Sequence, residues 1–133
     1  MEDFRGEEKM FDDFILEMAN VGPQIHKFGV NVKMHLLQPG DKQLSHGPRA
    51  KFFKNSIDDG FSISISSTSS KVKVVSGEDS KIVSEGEMNT LVEKVRKYRI
   101  PLLNFWRNSN MTVDELRDQM DAIDEGQAVE EFK

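Results

Sequence analysis

Cysteine is absent from this chain of 133 residues. That excludes disulfide cross-links, thiolate nucleophiles and every zinc site built on cysteine. Long apolar runs are missing too, since no stretch approaches the ~18 residues that suggest a membrane-spanning helix. No membrane partner is therefore expected. The opening residues Met1-Glu2-Asp3-Phe4-Arg5 lack the basic-then-apolar layout of a signal peptide, which points to a cytoplasmic protein. Histidine is scarce, and His26, His35 and His46 form neither a close pair nor an HExxH motif. No metal or cofactor is expected. No Gly-x-Gly-x-x-Gly or phosphate-loop pattern occurs, and no serine lies in a Gly-x-Ser-x-Gly elbow. Asp58 and Asp59 precede Gly60 in a turn, where adjacent acids share one environment instead of the two that paired-carboxylate hydrolysis needs. These gaps argue against an enzyme.

What the chain has is one core's worth of apolar residues and much charge. Hydrophobic residues make up 37% and nine glycines add to them, just under the usual globular fraction of about 45–50%. Charged residues at 31% and a mean hydropathy of −0.54 suit a soluble domain. The net charge of −5 hides a division into three. Residues 1–20 hold seven acids against two bases, 110–133 hold eight against two, and 21–109 hold eight acids against fourteen bases. A basic centre between acidic ends marks a nucleic-acid face, an acidic interaction tail, or acidic ends folded onto a basic core. The expected organisation is an acidic N-terminal helix in 1–24, an α+β core in 25–109, and an acidic helix with a tail in 110–133.

Apolar spacing predicts the elements. Met10, Phe11, Phe14, Ile15 and Met18 recur at helical intervals and predict an amphipathic helix from Glu8 to Ala19, closed by Gly22-Pro23. Val30, Val32, Met34 and Leu36 alternate with polar residues as a strand does. A shorter strand is expected at Arg49–Lys54. Phe61, Ile63 and Ile65 alternate with Ser62, Ser64 and Ser66, which places the serines toward solvent. Lys71–Val75 returns as a fourth strand after a serine-rich hairpin loop. Ser84–Glu87 and Thr112–Glu115 both have the capping-box form, Ser or Thr followed three residues later by Glu. They open helices whose inward faces carry Leu91, Val95 and Tyr98, and Leu116, Met120 and Ile123. Pro101 predicts a break in the first of these. Tyr98, Phe105 and Trp106 are expected in the core, Gly126 closes the last helix, and Gln127–Lys133 is expected to fray. Strands followed by helices mean α+β, a small antiparallel sheet of about four strands with helices on one face.

Binding residues follow from the basic centre. Ser45-His46-Gly47-Pro48-Arg49 is a stiff turn that can present His46 and Arg49 to an anion such as phosphate. Lys33, Arg49, Lys51, Lys54, Lys71 and Lys73 alternate with apolar residues and so could share one sheet face, suited to phosphate groups more than to bases. Arg96, Lys97 and Arg99 with Lys94 make the following helix basic, the nearest complement to the acidic C-terminal helix.

The turn at 45–49 with Lys51-Phe52-Phe53, the strand Asp59–Ile65, and the helix bearing Leu91, Val92, Val95, Arg99, Leu102, Leu103 and Trp106 resemble small uncharacterised prokaryotic domains often seen beside toxin–antitoxin genes. The likeness covers about 46–106. The chain departs from the family's His-rich Pro-Pro-His-x-His segment, and the family carries over no activity. The expectation is a non-enzymatic binding or regulatory protein of a prokaryotic or phage cytoplasm, working through another protein. The alternatives are a nucleic-acid binder using the basic strands, and an enzyme of unrecognised type.

Overall fold

The computed structural model describes residues 17–40, 44 and 46–132. The chain forms β1 (Glu17–Val21), α1 (Pro23–His26), β2 (Lys33–Gln38), β3 (Arg49–Phe53), β4 (Phe61–Ser64) and β5 (Val74–Ser76), then α2 (Glu85–Lys97), α3 (Arg99–Arg107) and α4 (Val113–Asp124). The five strands make one antiparallel meander in chain order. This is the α+β architecture expected, with one more strand.

The extra strand is β1. Residues 17–19 belong to the segment read as an amphipathic helix, yet Glu17–Val21 pairs in register with Gln38–Met34 of β2. A free edge on β2 offers a row of unpaired N–H and C=O groups, and pairing with it outweighs weak local helix propensity. The rest of that expected helix lies outside the described residues.

Period two sorts the sheet into faces. Met34 and Leu36 of β2, Ala50 and Phe52 of β3, and Phe61 and Ile63 of β4 are buried in one cluster with Leu91, Val95, Leu102 and Leu116 from the helices. Phe28 stacks on Tyr98 at 5.6 Å, and Phe52 lies 5.7 Å from Phe61. Gly60 and Gly77 allow the β3, β4 and β5 ends to close up. A Cβ on Gly60 would overlap the Phe52 carbonyl, and one on Gly77, whose φ is +75°, would overlap the Gly60 carbonyl.

The helices begin as their capping boxes predict. Ser84 and Glu87 exchange hydrogen bonds with each other's backbone N–H groups, as do Thr112 and Glu115. The path breaks at Tyr98, and Pro101 sits in the first turn of α3, where its missing N–H leaves no bond unmade. Pro101 to Trp106 are all buried. A helix buried on every side needs cover on every side. For α3 this comes from the sheet, α4 and the C-terminal segment.

Two expectations about polar residues need correction. Ser62 does not face solvent but is 2% exposed, set in the sheet interior between Lys51 of β3 and Ser76 of β5. The segment after Gly126 is not frayed. The Asn104 Nδ2 donates to the Glu130 carbonyl at 2.9 Å and its Oδ1 accepts from the Phe132 N–H at 2.7 Å. Arg107 adds an ion pair to Glu131 at 2.7 Å and a bond to the Phe132 carbonyl.

The acidic helix α4 docks on its own chain. Leu116 and Met120 are buried, and Arg117 donates to the carbonyls of Ile25 and His26. Asp124 accepts from the Tyr98 hydroxyl and pairs with Lys97 at 2.9 Å. The Tyr98 hydrogen bond, followed by the Lys97 ammonium, holds the Asp124 carboxyl below the usual carboxylate range.

Candidate functional site

The sheet face turned from the helices carries the mostly polar alternate residues of β2, β3 and β4. Antiparallel register aligns His35 with Lys51, Lys51 with Ser62, and Ser62 with Ser76. One row of side chains thus crosses β2 to β5. Arg49 stands two residues from Lys51 on β3, hence on the same face, and His46 approaches from the loop before β3. These six residues and Leu37 line a cleft of about 190 Å³.

Several contacts fix its walls. The His46 Nδ1–H donates to the Gly47 carbonyl at 2.9 Å, since a carbonyl can only accept. The ring lies 6.1 Å from that of Trp106, centroid to centroid. His35 Nδ1 meets the Asn20 Oδ1 at 2.6 Å, a bond from β2 to β1. Arg49 has its Nε shielded from solvent with no hydrogen-bond partner among the described residues. No carboxylate lines the cleft among the described residues.

The sequence-predicted cations divide into separate groups. His46, Arg49 and Lys51 come together in the cleft. Lys54 lies with Lys33, Asn31 and Asn55 around a second hollow, also about 190 Å³, and Lys33 sits over the Phe53 ring. Lys71 and Lys73 are exposed and precede β5, so they do not share the strand face as the alternation suggested. Arg96 and Arg99 hold the β4–β5 connection in place. Arg96 donates to the Ser69 and Val72 carbonyls at 3.0 and 2.8 Å, and Arg99 to the Ser67 carbonyl at 3.1 Å. Lys97 is paired with Asp124. Ser62 and Ser76 are the site residues that sequence reasoning missed. Alternation assigned Ser62 to the lysine face, but only the cross-strand register shows it beside Lys51.

Among the described residues no group of three or more His, Asp or Glu is placed to hold a metal ion, and no described helix is long and apolar enough to cross a membrane. No protein-family model, curated protein or solved structure matches this chain.

Proposed function

We propose that this chain is a non-enzymatic regulatory protein that binds another protein through the sheet face turned from the helices. Its setting, in this reading, is a prokaryotic or phage cytoplasm. The cleft carries the reading: Arg49 and Lys51 converge with two imidazoles and two hydroxyls, with no lining carboxylate among the described residues. Permanent cations gathered without a counter-charge attract an acidic group on a partner and steer its approach. The pocket admits one such group. A nucleic-acid track would instead need cations repeated along a path, whereas Arg96, Arg99 and Lys97 are engaged within the fold.

Affinity capture from an extract of the native host tests it, with wild type compared against Arg49→Glu and Lys51→Glu. The expected result is a protein recovered by the wild type and lost with either charge reversal, while the thermal melts stay alike. Equal recovery by folded variants would overturn this choice of surface.

A further inference from the structure

We infer that the cleft between β2 and β5 is a binding site for a phosphate dianion, free or carried as a monoester. This rests on the reading of that face as the contact surface and names the group it receives.

Charge is the first argument. Two permanent cations, Arg49 and Lys51, line one small cleft that holds no carboxylate among the described residues. A carboxylate partner would bring one negative charge and leave the second cation without a counterpart. A phosphate monoester brings about −1.5 to −2 at neutral pH and three terminal oxygens.

Geometry is the second. Arg49 and Lys51 rise from one strand about 6.6 Å apart, while Ser62 and Ser76 follow on the next two strands at steps of about 4.8 Å. Donors set around a hollow in this way suit a tetrahedral group better than a flat one. The planar guanidinium can give two parallel N–H bonds to two phosphate oxygens. The Arg49 Nε–H is already out of water and has no acceptor among the described residues. A phosphate oxygen supplies the missing acceptor. Hydroxyls at Ser62 and Ser76 donate to the remaining oxygens, and the Lys51 ammonium serves as a mobile point charge.

The test uses the full chain labelled with ¹⁵N and follows the Arg49 Nε–H resonance. Inorganic phosphate, a phosphoserine peptide, its unphosphorylated form and a glutamate-substituted form are titrated separately. Saturable shifts are expected with phosphate and with the phosphopeptide, and at least tenfold weaker binding with the other two. Arg49→Gln and Lys51→Gln should each weaken phosphate binding at least tenfold without broadening the spectrum. Tighter binding of the phosphopeptide than of inorganic phosphate would assign the group to a modified side chain, and the reverse order to a free phosphate; both support the site. No saturable shift with either phosphate ligand in the wild type would overturn it. So would a glutamate peptide that binds as tightly as the phosphopeptide. In that case the partner-binding surface itself still stands if Arg49→Glu loses the captured protein.

Discussion

Ser64 shows how one hydroxyl can serve as structure on a face that alternation assigns to water. Its Oγ–H donates to the Lys71 carbonyl at 2.6 Å, and its oxygen accepts from the Lys73 N–H at 3.1 Å. It therefore ties the irregular start of β5 to β4. Ser64→Ala is expected to cost about 1 kcal/mol, measurable as a lower urea midpoint, where a plain solvent-facing serine would cost nothing. His26 is the other single residue with a role beyond packing. It is 1% exposed, its Nδ1 accepts from the Phe28 N–H, and its Nε2–H donates to the Val32 carbonyl at 2.8 Å. Accepting at Nδ1 requires the neutral ring, whereas the Nε2–H bond to Val32 persists in the charged one. Burial, which outweighs the Val32 bond, lowers its pKa from the ordinary value, and the Arg117 guanidinium lowers it further. The unfolded chain takes up a proton near pH 6.5, before the folded chain does. This contribution to stability is thus full above about 6.5 and is lost as pH falls toward the lowered folded value. The urea midpoint should drop as the pH falls below about 6.5, and His26→Gln, whose amide keeps one donor and one acceptor, should lessen that drop. An identical pH profile in the variant would remove His26 as the cause.

At the scale of elements, the C-terminal segment depends on one amide. Asn104 is 0% exposed and holds Gln119, Glu130 and Phe132 at once. Removing it leaves the Glu130 carbonyl and the Phe132 N–H, in a part-buried setting, without their side-chain partner. Asn104→Ala should cost about 1–3 kcal/mol in chemical denaturation and open residues 127–132 to protease. A variant as stable and as protected as wild type would show that the segment is held by Arg107 alone. The same region marks where sequence pattern stops being informative. The helices at 85–97 and 113–124 and their capping boxes were legible because cap, period and apolar stripe are local signals. The break near Pro101 was legible for the same reason. β1 was not, because its cause is the open edge of β2, some fifteen residues away in sequence. The C-terminal segment was not, because polar composition near a terminus resembles fraying until a buried Asn is found against it. The site was half legible. Arg49, Lys51 and His46 are neighbours along the chain, whereas Ser62 and Ser76 join them only through strand register.

Over the described residues, the acidic C-terminal segment and the basic centre do not form two opposed poles. Part of the division is settled within the fold. Asp124 meets Lys97 and Glu131 meets Arg107, while Arg96 and Arg99 are directed at backbone carbonyls. Individually, exposed pairs of this kind contribute little to stability. Their larger effect is to remove cations from the surface that a polyanion would meet. Arg49 and Lys51 remain together in the cleft, and Lys33 with Lys54, and Lys71 with Lys73, stand apart from them. Binding to random duplex DNA is then expected to be weak and to involve about two phosphates, which gives a slope near −2 in log K against log salt. The net charge of −5 opposes even that. A fluorescence-anisotropy titration at several salt concentrations reads the slope directly. A value of about −5 or steeper would require five or more phosphate contacts. The separated lysines would then have to act as one track, and nucleic acid would displace a protein partner as the ligand of this face. A shallow slope, together with phosphate binding that Arg49→Gln abolishes, would instead localise the recognition in one cleft, where a single anionic group meets two cations.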